Sequence, residues 1–228
     1  MPAARKIATS RSLKEPSAPR LPRTLTPAAD GDLDLTHDGK YLSLEYGTVR
    51  LTGTGIEDAE FERCRFKGTS FAGVSLERAS FGDVEFAGCD LANLKLRNSR
   101  MAAGNVTNCR TTGLHVTEGT IRDVVFDGCR ADLTGFRFCQ LRDVVFRDCN
   151  LTEANFQNAE LHNVRFEGCK LVAAQFSNAT MKQVRFAGGN DLAGIAGVQS
   201  LSGAIVSSAD APGLLGALTS ALGITIED

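Results

Sequence analysis

From Phe61 to Phe186 a large apolar residue returns at every fifth position, and the register never slips. Of the 26 centres in this series, only Thr111 and Ala131 depart from the rule. A period of five fits neither the helix, at 3.6, nor the strand, at 2.0. A second series lies two residues before each centre. From Ala59 to Val184 every member is Ala, Cys, Thr, Val, Leu, Ser or Gly. A third lies two residues after each centre, where 17 of 26 residues are Gly, Asn or Asp. Those residues tolerate the positive φ that a tight turn demands. Tyr41, Tyr46, Leu51 and Ile56 carry the register upstream. Each unit thus offers one large inward residue, one small inward residue and one turn. Such a unit buries nothing alone and must coil and stack on its neighbours.

Residues 20 apart also match. Phe66, Phe86, Val106, Phe126, Phe146, Phe166 and Phe186 would form one ladder, and Phe61, Phe81, Met101, Ile121, Leu141, Leu161 and Met181 another. A super-period of 20 means four units per coil. At about 4.8 Å between stacked strands the regular part is a rod of roughly 31 Å.

The stretches CNLTEANFQNAEL (Cys149 to Leu161) and CDLANLKL (Cys89 to Leu96) resemble the A(D/N)LXX pattern of the pentapeptide-repeat family. The resemblance runs from about residue 41 to 190. It implies an all-β solenoid, a right-handed quadrilateral β-helix with one pentapeptide per face, closed here by a short C-terminal capping α-helix. Some members protect DNA gyrase or topoisomerase IV from quinolones by resembling DNA, as dimeric rods with an acidic surface and, in some, loops between coils. This chain departs on both last points. Residues 41–190 hold 18 acids and 18 bases, with no inserted loop. Electrostatic mimicry of DNA needs an excess of acids.

The seven cysteines, Cys64, Cys89, Cys109, Cys129, Cys139, Cys149 and Cys169, all fall in the small inward series. They read as core, since no CxxC or CxxH spacing suggests a zinc site. His115 and His162 point outward on different faces, and no nucleophile arrangement accompanies them. The reading is a protein without catalytic residues, cofactor or metal.

Function is then expected on the outer faces. Arg110, Arg130 and Lys170 stack at one phase of the 20-residue period, and Arg122, Arg142 and Lys182 at another, beside Asp123 and Asp143. Leu133 and Phe138 occupy turn positions where polar residues dominate, and Val125 and Val145 form an outward apolar pair. An exposed apolar spot of this kind marks a contact site or a local irregularity.

The chain divides into a basic tail over 1–28, read as disordered, the repeat over 29–190, regular from about 59, and a C-terminal cap over 191–228. In the cap a helix near 208–222 is expected, started by Ser208 or Asp210 and stopped by Gly223. Its Leu214, Leu215, Leu218 and Leu222 would seal the solenoid end or join two copies. No apolar run spans a bilayer and no signal-peptide core is visible, so a cytoplasmic setting is expected. The leading function is a non-enzymatic module that binds an unidentified protein. The alternative is a modulator of a type II topoisomerase. Neither reading involves direct nucleic-acid or membrane contact.

Overall fold

The computed structural model describes residues 13–227. They wind into a parallel β-solenoid of about nine turns with one short C-terminal helix. The three sequence rules become three geometric facts. Every centre from Phe61 to Phe186 is buried except Met101 and Met181, which are half-buried, and every small partner is buried. Every one of the 26 turn positions from Arg63 to Gly188 has φ between +48° and +86°. Nine of these, including Ala103, Leu133, Phe138 and Ala173, are not Gly, Asn or Asp. The stacked register, rather than local preference, holds them in the left-handed region.

Pairing is parallel with an offset of 20. The strands Ser80–Ala87, Arg100–Thr107, Thr120–Asp127, Gln140–Arg147 and Glu160–Glu167 stack in sequence order and bend around one corner. The corner residues Asp83, Ala103, Asp123, Asp143 and Asn163 drop out of the pairing. A third face carries short strands from Ile56–Glu57 to Gly135–Arg137. The fourth is tied by single bridges running from Arg50↔Ser70 to Asn150↔Lys170. The twentyfold register already holds at Lys40↔Glu60, and pairing starts at Thr26, where the first coil is two residues shorter (Thr26↔Leu44).

Inside, rings stack coil on coil: Phe66 on Phe86 at 4.6 Å, Phe126 on Phe146 at 4.9 Å, Phe146 on Phe166 at 5.2 Å. Rings from adjacent faces meet edge to face, as Phe156 and Phe166 do at 5.7 Å. Both arrangements suit the aromatic quadrupole. The coil around Met101 and Val106 contributes no ring, and there a cavity of about 30 Å³ opens between Phe86 and Phe126. Apolar cavities of this kind stay dry.

The C-terminal end differs from expectation. A 3₁₀ turn, Ala211–Leu214, precedes the helix, which spans Leu215–Leu222. Asp210 does not cap it. Its carboxylate is 2% exposed and accepts from the Gly189 N–H at 3.1 Å and Asn190 Nδ2 at 2.7 Å. Asn190 takes the place of the next cysteine, and its Oδ1 accepts from the Cys169 N–H at 2.8 Å. This buried polar pair satisfies groups that another coil would otherwise bind. Leu214 is buried, whereas Leu215, Leu218 and Leu222 are exposed, so one of the four expected leucines seals the core.

Candidate interaction surface

The cysteines are all free and buried. Each thiol points to the carbonyl 23 residues earlier, such as Cys129 Sγ to Val106 O at 3.2 Å and Cys169 Sγ to Phe146 O at 3.3 Å. Burial pushes the Cys139 thiol up to about 11 and raises that of Cys64. Those two thiols, held protonated, are poor nucleophiles and metal ligands. Among the described residues no group of three or more His, Cys, Asp or Glu is placed to hold a metal ion. His115 is exposed and His162 half-buried.

Both cationic columns exist as stacks. Arg110 bridges to Arg130, and Arg130 through Asn150 to Lys170. Arg122 pairs with Arg142, Arg142 with His162, and His162 with Lys182. Acids answer most of them. Arg110 grips Asp90 with two hydrogen bonds, at 2.9 and 2.6 Å. Arg130 lies 3.4 Å from Asp132, Arg122 3.2 Å from Asp123 and Arg142 3.8 Å from Asp143. The Arg110 and Arg130 pairs, open to solvent, contribute at most about 1 kcal/mol each, whereas the Asp123 and Asp143 carboxylates are buried. Lys170 and Lys182 have no acid within ion-pair distance among the described residues.

The basic segment expected to be disordered is described from Leu13, and from there to Pro27 it lies along the rod. It descends the bent corner as an extended strap. The Asn163 side chain donates to the Lys14 carbonyl at 2.9 Å. The Ser17 N–H donates to Asp123 Oδ1 at 2.9 Å and the Arg20 N–H to Asp83 Oδ1 at 2.8 Å. The strap then joins the first coil through Thr26. Lys14 Nζ sits 3.4 Å from Asp123 and 3.2 Å from Asp143, and Arg165 holds Glu15 in a fork with one bond of 2.6 Å. Burial opposes ionisation of Asp123, but the Ser17 bonds and the Lys14 ammonium outweigh it and hold its carboxyl below the usual range. Residues 1–12, the rest of that tail, lie outside the described residues.

The strap has a period of its own. Leu13, Pro16, Pro19 and Pro22 are half-buried and Leu25 is buried, while Lys14, Glu15, Ser17, Ala18, Arg20, Arg23 and Thr24 are exposed; Leu21, also half-buried, is the one departure. Three residues per turn is the polyproline II repeat. This signal, L-x-x-P-x-x-P-x-x-P-x-x-L, stands in the sequence, but the basic composition hides it. The strap also corrects one expectation. Val145 is not exposed; it is 1% accessible, on the strand that carries Asp143 and opposite Arg165, where Lys14 and Glu15 cross. Val125 is half-buried. Leu133 and Phe138 do stand out, 51% and 50% exposed, on neighbouring corners away from the strap.

The pentapeptide repeat region model matches residues 54–136 and 123–195. The chain belongs to the pentapeptide-repeat family. Among solved structures it is similar to HetL, a pentapeptide repeat protein involved in heterocyst differentiation regulation in the cyanobacterium Nostoc sp. strain PCC 7120. That match has 17% identity over 76% of this chain and 91% of that one, with a TM-score of 0.34. It is also similar to full-length QnrB1, a plasmid-mediated fluoroquinolone resistance protein, at 20% identity over 82% and 100% of the two chains, with a TM-score of 0.35. No curated protein matches the sequence. Identities this low say nothing about activity or partner. No helix of the described residues is long and apolar enough to cross a membrane.

Proposed function

We propose that the protein is a non-enzymatic interaction module, a rod that works by presenting its outer faces to another protein. One observation carries this reading. The repeat spends its thiols and rings on the core, and what reaches the outside is a patterned array of ion pairs with a few uncompensated features. They include Lys170, Lys182, Leu133 and Phe138. Sites grafted on a scaffold, rather than the scaffold itself, define function. Affinity capture with the intact chain, followed by the double variants Leu133→Asp/Phe138→Asp and Lys170→Glu/Lys182→Glu, tests it. A captured partner lost from one variant, with the melting temperature unchanged, supports the reading. A partner that ignores both variants removes these faces as the site.

A second proposal concerns self-association. Leu215, Leu218, Leu222, Ile224 and Ile226 leave an apolar face at the solenoid end. A second copy is the occupant we assign to it, because a twofold contact covers both exposed faces at once.

Modulation of a type II topoisomerase is the competing reading, and the neutral, ion-paired rod weighs against it. We expect no change in gyrase supercoiling, with or without fluoroquinolone, at micromolar protein. Protection at that concentration would reverse the order of the two readings.

A further inference from the structure

We propose that the bent corner carrying Asp83, Asp123, Asp143 and Asn163 is a recognition groove for extended proline-rich segments, and that residues 13–25 are its built-in occupant. The inference rests on the reading of the rod as an interaction module and names one partner chemistry for it. Three observations carry it.

The first is commensurate spacing. A polyproline II segment advances about 9.3 Å in three residues. Two coils of the solenoid rise about 9.6 Å. Three residues along the strap, from Lys14 to Ser17 to Arg20, the contact moves down two coils each time, from Asn163 to Asp123 to Asp83. Any segment with that repeat meets the corner in the same register, because the bonds read its backbone.

The second is a spare acceptor. Asn163 is 5% exposed, its amide nitrogen serves Lys14 and Asp143, and its Oδ1 has no partner among the described residues. It stands at the rung where Asp123 and Asp83 accept backbone N–H groups lower down.

The third is charge order. Lys14 meets the Asp123 and Asp143 carboxylates, and Glu15 meets Arg165. A cation followed by an acid, then Pro-x-x-Pro, is the pattern the corner accepts. The occupant itself is held lightly. The Lys14 and Glu15 side chains are 57% and 71% exposed, and the main-chain bonds come only once in three residues from Lys14 to Arg20. A partner segment of the same pattern can take its place, and main-chain pairing with side-chain registration is an established mode of peptide capture.

The test uses the full chain. Ser17→Pro with Arg20→Pro removes the two N–H donors and keeps the extended backbone. Trypsin should then cut after Lys14 at least fivefold faster than in wild type, at an unchanged melting temperature. A fluorescein-labelled peptide of residues 13–27 should bind this variant saturably and wild type at least tenfold more weakly. Adding Asp83→Asn and Asp123→Asn should cut that binding about tenfold, and a peptide with Pro16, Pro19 and Pro22 all replaced by Gly should lose most of it. Two results overturn the proposal: unchanged trypsin cleavage, which shows the N–H bonds do not hold the strap, or a released strap with no saturable peptide binding. Either leaves capture of a partner by the other faces untouched, so the two readings fail separately.

Discussion

At the residue scale the corner carboxylates have the most to lose. Asp123 is 8% exposed and faces the Lys14 ammonium, the Arg122 guanidinium, the Ser17 N–H and, one coil up, Asp143. Its carboxyl titrates below the ordinary aspartate range. A depressed folded value contributes stability that is present above the unfolded pKa and lost as pH falls through the folded one. The strap should therefore stay seated at neutral pH and loosen below about pH 4. A dye on Ala18→Cys reports this, since Ala18 is exposed and the native thiols are buried. Its anisotropy should drop in that window. With Asp123→Asn the strap should be looser at pH 7 and the transition smaller. An anisotropy flat from pH 7 to 3 would exclude Asp123 as an anchor. At Gly197, φ is +77° and an added Cβ would lie 2.3 Å from the Ser177 nitrogen. Gly197→Ala should thus cost more than about 2 kcal/mol in thermal unfolding, because a backbone atom cannot step aside.

At the scale of the element, the ladders set the stability and one coil is underfilled. Phe146 stacks between Phe126 and Phe166 and meets Phe136 and Phe156 edge-on. Phe146→Ala should cost about 3–5 kcal/mol by denaturant unfolding. Gly104 lies beside the cavity-lining Met101, and a methyl there would sit 3.4 Å from Met101 Sδ and 3.5 Å from Val84 Cγ2, ordinary contacts. Gly104→Ala should stabilise by about 0.4–1 kcal/mol, and a lower melting temperature would mean the coil is already full. Much of this element was legible in the sequence. The period of five is written in the inward residues themselves, so the faces, the ladders and the cysteine column follow from spacing. The strap was not legible. Its partners Asp83, Asp123 and Asn163 lie 63 to 149 residues away in sequence, and each also satisfies the turn rule, so nothing marks them as ligands. Nor was the role of Asp210. A helix-capping residue and a residue bonded to Asn190 read alike in one dimension, because the contact depends on where the last coil ends.

At the scale of the whole molecule, the solenoid separates inside from outside: every small partner and every centre but Met101 and Met181 is buried. Core identity is fixed by the coil, while corners such as Leu133 and Phe138 depart from the turn rule without altering it. That freedom lets one architecture carry unrelated surfaces, which is why the family is readable from this chain and its partner is not. The exposed C-terminal leucines make an assembly prediction at this scale. Sedimentation of the intact chain should show a dimer, and Leu218→Asp with Leu222→Asp a monomer of unchanged melting temperature. A monomeric wild type across the micromolar range would remove the twofold contact. The central claim is that the repeat buries its chemistry and leaves only the surface to act. Counting reactive thiols by intact mass, native and denatured, tests it most directly. Seven should react in denaturant and few or none in the native protein. Rapid native labelling of the column from Cys89 to Cys169 would contradict the claim.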